Sequence, residues 1–134
     1  MDCLFCKIVN KEIPAEIIYE DNHTLAFLDI HPKTPAHVLI IPKKHYASII
    51  EVDESEIGPL FATVKKIAIM LNDKFKPDGL SIGINQGRAA GQEVDHLHIH
   101  ILMRYKNDKG GSIQSIVDNP PKESLKEIKN KILN

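Results

Sequence analysis

Apolar residues recur along this chain in more than one rhythm. Ile17 to Glu20 and Thr24 to Leu28 are short runs rich in β-branched and aromatic residues. The turn-prone pair Asp21-Asn22 separates them, so they predict two strands joined as a hairpin. His37-Val-Leu-Ile-Ile-Pro42 is almost continuously apolar, the pattern of a central strand. The Pro32 to Pro35 segment before it predicts a loop. From Leu60 the period changes. Leu60, Phe61, Val64, Ile67, Ala68 and Leu71 follow a spacing of 3.6 and predict one long helix. Asp53 to Glu56 reads as its entry turn, with Gly58-Pro59 in the first turn, where proline is tolerated.

Leu80 to Ile84 predicts a further strand, Gln86 to Gln92 a glycine-containing loop, and the stretch from His96 to about Met103 another strand. A short helix is expected at Phe5 to Asn10. Another is expected at Ser124 to Leu133, where Leu125, Ile128 and Ile132 share a face beyond a tail bounded by Gly110-Gly111 and Pro120-Pro121. Antiparallel hairpins interrupted by one long helix give an α+β class rather than a parallel βαβ arrangement. The 134 residues suit one domain with its own core.

The sequence His96-Leu97-His98-Ile99-His100-Ile101-Leu102 carries the strongest chemical signal. On a strand the three imidazoles at i, i+2 and i+4 share one face, and Leu97, Ile99 and Ile101 face a core. Strict alternation argues against three unrelated structural histidines. A single metal centre is the alternative. At about 3.3 Å per residue the outer two are roughly 13 Å apart at Cα, so convergence on one ion needs a strained inward reach. The remaining reading is a nucleophilic and phosphate-binding row. Neutral imidazole attacks phosphorus when one ring nitrogen is bare and the other is held by a hydrogen bond. His98, in the middle, is best placed to do so, with its neighbours against the phosphate oxygens. The loop Asn85-Gln-Gly-Arg-Ala-Ala-Gly-Gln-Glu-Val94 immediately upstream contains small residues that let backbone amides approach a phosphate.

Composition narrows the class. Hydrophobic residues make up 43% of the chain and the formal net charge is −1, which argues against disorder and against bulk attraction to nucleic acid or membrane. No apolar run approaches the roughly 20 residues of a membrane span, and the N-terminal residues lack a signal peptide's apolar core, so a soluble cytoplasmic protein is expected. The two cysteines stand as Cys3-x-x-Cys6, the spacing of a zinc half-site and not a disulfide framework. A redox-active pair is the alternative, although the strand that precedes a thioredoxin-like motif is missing.

The His-φ-His-φ-His-φ-φ pattern at 96–102 resembles the signature of the histidine triad superfamily. Lys11-Glu-Ile-Pro-Ala15, Leu25-Ala-Phe-Leu-Asp-Ile30, His37-Val-Leu-Ile-Ile-Pro-Lys-Lys-His45 and Gly91-Gln-Glu-Val94 resemble further segments of that family, in its order and spacing. The likeness covers about residues 3 to 104 and leaves an extension from about 105 to 134. Asn85, eleven residues before His96, is similar to the Hint-type branch, where the fragile histidine triad branch carries glutamine.

The resemblance implies a five-stranded antiparallel sheet with one long helix, a homodimer, and a nucleoside phosphoramidase acting on the P–N bond of adenosine or other purine nucleoside 5′-phosphoramidates. Alternatives are a dinucleoside polyphosphate hydrolase and a purine-nucleotide-binding protein with vestigial activity. By the same resemblance His98 is the nucleophile, oriented by the His96 carbonyl, and His37 supports the triad. His100, Asn85, Gly91, Glu93 and Val94 hold the phosphate. Asp29 holds the ribose, or else caps a turn before Pro32. Phe5, Ile8, Ile13, Phe27 and Ile30 form the base slot.

Bacterial and archaeal members of the family suggest a structural zinc on Cys3, Cys6, His45 and His96, with no cofactor required for catalysis. Two residues depart from the family pattern. Glu93 stands where some members carry serine, and its side chain is expected to point away while its backbone N–H faces phosphate. Asp95 replaces an aromatic. His23 and His31 are expected to be solvated loop residues without a role.

Overall fold

The structure, a computed structural model, describes residues 2–134. Five strands form one antiparallel sheet: β1 (Ile17–Glu20), β2 (Thr24–Leu28), β3 (Val38–Pro42), β4 (Gly79–Gly83) and β5 (Ile99–Arg104), in the order β1-β2-β3-β5-β4. Three α-helices accompany it: α1 (Leu4–Val9), α2 (Glu54–Phe75) and α3 (Leu125–Leu133). None is long and apolar enough to cross a membrane.

Strand β3 explains its own composition. All five of its residues are buried, because the sheet is covered on both faces at this point. Val38 and Ile40 join Ala26, Ile99, Ile101 and Met103 beneath α2, against Leu60, Val64, Ile67 and Leu71. Leu39 and Ile41 point the other way and pack with Leu25, Phe27, Phe5 and Ile8 under α1. A continuous apolar run is what two-sided burial demands of an alternating strand.

Helix α1 covers only part of its face. Beyond β3, strand β5 turns His100, Leu102 and Arg104 to that side, and β4 sets Gly83, Ser81 and Gly79 directly opposite them. The uncovered half of the sheet becomes the floor of a cleft.

Several elements differ from their expected bounds. Helix α2 begins at Glu54 with Asp53 as its cap residue, which places Pro59 in the second turn rather than the first. The proline removes one intrahelical hydrogen bond, to the carbonyl of Ser55, itself an exposed residue. Phe61 lies outside the buried stripe at 44% exposure; Thr63 takes that part of the interface and shares a 2.7 Å hydroxyl hydrogen bond with Thr24. β4 starts and ends one residue earlier than expected.

His23 is not merely solvated. Its Nδ1 lies 3.1 Å from the buried Glu56, tying the β1–β2 turn to the start of α2. His31 is exposed. The tail leaves Arg104, whose guanidinium holds Asp108 and the Gly111 carbonyl, and continues with side chains almost all exposed. Helix α3 is a well-capped helix, with a reciprocal Ser124–Glu127 box, yet Leu125 and Ile132 remain exposed.

Ile67 is fully buried at the centre of the α2–sheet interface. Ile67→Ala is expected to lower unfolding stability by about 2–5 kcal/mol, measured as a urea midpoint shift at unchanged m-value.

Candidate functional site

The three histidines do not all stand on a strand. β5 begins at Ile99, so only His98 and His100 keep the alternating geometry at its entrance. His96 lies in the bend before it, held by hydrogen bonds from its own N–H to the Val94 carbonyl (2.8 Å) and from the Leu97 N–H to the Tyr46 carbonyl (2.7 Å). The bend resolves the spacing problem: the His96 ring turns away from the other two.

Carbonyls accept and backbone amides donate, so their contacts fix which ring nitrogens carry hydrogen. His98 Nδ1 donates to the His96 carbonyl at 2.7 Å, leaving Nε2 bare. The Lys33 N–H donates to His37 Nδ1 at 3.2 Å, which puts the hydrogen of neutral His37 on Nε2. That nitrogen donates to His100 Nδ1 at 2.9 Å, leaving the His100 hydrogen on its outer Nε2. A bare nitrogen on His98 thus stands beside a donor on His100, with ring centroids 5.1 Å apart.

Burial, with His98 and His37 nearby, pushes His100 down to about 4, so it is neutral at pH 7. Burial also lowers His37, and Lys33 adds to this against the opposing pull of Asp29. Asp29 Oδ1 accepts from the His31 N–H at 2.8 Å in a turn, and Oδ2 lies 3.6 Å from His37 Nε2 in the cleft.

The cleft has a volume of about 1280 Å³. Phe5, Ile8, Ile13, Phe27 and Ile30 line one end, with His98, His100, Asn85, Gly91, Glu93 and Val94 next to them. Ile30 is a rim residue, 82% exposed. Phe5 packs edge-on against both His98 and Phe27, at 5.1 and 5.4 Å between centroids. The loop after β4 needs glycine at two positions, Gly87 (φ 85°) and Gly91 (φ 100°).

The residue that organises the loop is Gln92, which the sequence placed inside a recognised segment without a role. Buried, it accepts from the Gly87 N–H (2.8 Å) and donates to the carbonyls of Ala47 (2.9 Å) and Val94 (3.0 Å). Glu93 has an exposed side chain, and Asp95 is paired with Arg88 at 3.0 Å.

Cys3, Cys6, His45 and His96 come together at the back of this wall, with all four ligand atoms within 4.8 Å of one another. His96 Nε2 donates to the Pro42 carbonyl at 2.8 Å, so its Nδ1 is bare and faces Cys3 Sγ at 3.5 Å and Cys6 Sγ at 3.6 Å. His45 Nδ1 lies 3.4 Å from Cys6 Sγ. Tetrahedral zinc on sulfur and imidazole has sulfur–nitrogen edges of about 3.5 Å. Burial, followed by the neighbouring Cys3, pushes the Cys6 thiol up to about 11, so paired thiolates here call for a cation.

Asp29, His37 and His100 also cluster, but there the tautomers oppose a metal. The Lys33 amide occupies His37 Nδ1, and coordination at Nε2 would displace the ring's only hydrogen.

A sequence model of the HIT domain matches residues 10–107. An uncharacterized HIT-like protein of Methanocaldococcus jannaschii is 47% identical over 132 residues, covering 95% of this chain and 98% of the relative. Among solved structures, a HIT family protein from Bacillus subtilis superposes with a TM-score of 0.89 at 38% identity, covering 99% of this chain and 96% of the other. A zinc-bound histidine triad family protein from Mycobacterium smegmatis gives 0.76 at 39% identity, covering 81% and 79%. A histidine triad nucleotide-binding protein from Candida albicans gives 0.78 at 33%, covering 98% and 92%.

His100 sits at about 4 in the fold and returns to 6.5 when unfolded. Between those values the unfolded chain binds a proton that the folded chain does not. Stability therefore rises with pH across this window and is lost on acidification from 6.5 toward 4. Metal-stripped protein is expected to show a lower urea midpoint at pH 5 than at pH 7, with a smaller difference in His100→Gln. An equal difference in both proteins refutes the assignment to His100.

Proposed function

Because the chain belongs to the HIT domain family, we propose that it is a nucleotide hydrolase that cleaves the P–N bond of purine nucleoside 5′-phosphoramidates through a nucleotidyl-histidine intermediate. The observation that carries this reading is the bare Nε2 of His98, fixed by the 2.7 Å bond from Nδ1 to the His96 carbonyl. Its lone pair attacks the α-phosphorus, the P–N bond breaks, and the leaving nitrogen takes a proton from solvent water and departs as the amine. Water then attacks the same phosphorus, releases the nucleoside monophosphate and restores His98.

His100 offers its outer N–H to a non-bridging oxygen, and His37, held by the Lys33 amide, keeps that hydrogen outward. Asn85 and the backbone at Gly91, Glu93 and Val94 complete the phosphate cradle, with Gln92 bracing its two ends. Asp29 accepts from the ribose hydroxyls, and Phe5, Ile8, Ile13, Phe27 and Ile30 flank the base.

Charge supports the phosphoramidate over a polyphosphate. Of Lys33 and Arg104, the two Lys/Arg cations lining the cleft, Arg104 is tied to Asp108 at 2.8 Å, which leaves Lys33 to meet substrate charge.

Cys3, Cys6, His45 and His96 form, in this reading, a closed structural zinc site, a metal that the Mycobacterium smegmatis relative binds. Zinc held by these four residues would tie the start of α1 to the His96 bend and the segment after β3, and no step of the reaction passes through it. The same reading includes a cytoplasmic homodimer. Edge strand β4 and the exposed Phe61, Ile69, Met70 and Phe75 of α2 offer surface for a second copy.

Rapid quenching with adenosine 5′-phosphoramidate is expected to show an adenylyl adduct in the intact mass of the wild type and none in His98→Ala. AMP release by the variant should fall by at least about a thousandfold. AMP release without any adduct on wild type refutes the covalent route, and no AMP from either protein refutes this substrate. Elemental analysis of reductively purified protein should find one zinc per chain. Stripping it should lower Tm by about 5 °C or more, and Cys6→Ala should hold no stoichiometric metal.

A further inference from the structure

The Cys3–Cys6 pair is placed where a covalent change reaches the cleft. Cys3 is the cap of α1, its sulfur accepting from the Cys6 N–H at 3.4 Å, and the two sulfurs lie within 4.8 Å. Two residues later in the same helix Phe5 packs against the His98 ring. His96, whose ring faces both sulfurs, supplies the carbonyl that holds His98. Cys3 is buried and Cys6 half-buried, and a surface cavity of about 390 Å³ is lined by Cys3 and His45, with Glu93 and Val94 of the phosphate loop on its wall. The cap and first turns of α1 therefore bring together two thiols and an aromatic wall of the cleft, beside a surface cavity.

We propose that Cys3 and Cys6 are an oxidant-responsive modification site, converted by a peroxide to a disulfide that releases zinc and weakens nucleotide binding. The inference rests on the zinc and nucleotide readings above. One thiolate attacks the peroxide O–O bond, becoming a sulfenic acid and releasing hydroxide. The second thiolate displaces hydroxide from that sulfur and forms the S–S bond. Two thiolates give up two electrons and one peroxide takes them, ending as two hydroxides. Zinc keeps its charge and loses two of its four ligands. The first turn of α1 then closes on its own bridge, and Phe5 and the His96 bend lose their common anchor.

The experiment treats full-length, zinc-loaded, reduced protein with hydrogen peroxide in slight excess. It reads intact mass, zinc captured by a chromophoric chelator, AMP affinity, and amide hydrogen exchange over residues 4–9 and 96–98. The expected result is loss of two hydrogens mapped to Cys3–Cys6, one zinc released per disulfide, AMP affinity weakened by about tenfold or more, and faster exchange in both segments. A dithiol plus zinc should reverse all four. In Cys6→His, which lacks the second thiol, peroxide should form no disulfide and should leave AMP affinity at that variant's own untreated value.

Thiols that stay reduced after free glutathione is consumed overturn the proposal. So does a disulfide that leaves AMP affinity and exchange unchanged. Purified protein that never holds zinc defeats the zinc reading instead, and mass and exchange still decide the thiol pair. Protein that never binds AMP defeats the nucleotide reading, and exchange decides the coupling.

Discussion

The His96 residue is constrained at three points, and the site on both sides of it follows from them. Its Nε2 is committed to the Pro42 carbonyl at the end of β3, its Nδ1 faces two cysteine sulfurs from α1, and its own carbonyl receives the His98 ring. Releasing any one lets the bend before β5 relax, and with it the angle at which His98 enters the cleft. Burial of the ring, which pushes His96 down to about 4, keeps it neutral, so Nδ1 remains a lone pair rather than a donor.

The cleft is a product of uneven coverage. Helix α2 protects one face of the sheet, while α1 protects only the region over β2 and β3. The buried apolar contacts that stabilise the domain therefore stop where β5 begins to display His100, Leu102 and Arg104. Gly79, Ser81 and Gly83 on β4 put no bulky side chain on that floor. Strand β5 places His100, the His96 carbonyl just before it places His98, and the glycine-bearing loop, braced by Gln92, approaches them from one side.

Much of this was legible in the sequence because local patterns and tertiary needs agree. β1 and β2 occupy the predicted residues, and β3 reads as a central strand because both of its faces are covered. The cysteine pair and its two distant histidines meet in space as the family resemblance implied. What escaped has physical causes. Apolar periodicity cannot tell Phe61 from a core residue, since the edge of a helical stripe is decided by the width of the surface it meets. It also missed Thr63, whose hydroxyl is buried only because Thr24 lies opposite. A strict alternation of histidines looked like one strand face, yet the carbonyls at Val94 and Tyr46 bend the backbone first. Gln92 and the His23–Glu56 pair depend on partners far away in the chain, which no local pattern encodes.

The hydrogen positions on the imidazoles are dictated by main-chain atoms: the Lys33 N–H, the Pro42 carbonyl and the His96 carbonyl. None of these belongs to a side chain. Mutation at position 33 or 42 can therefore change size, charge or polarity while leaving the proton map intact, provided the backbone keeps its course. Proline at 33 is the exception, because it alone deletes the amide from which the series starts. The tautomers in this sense survive side-chain change at positions 33 and 42, even where such a change takes the Lys33 charge out of the cleft.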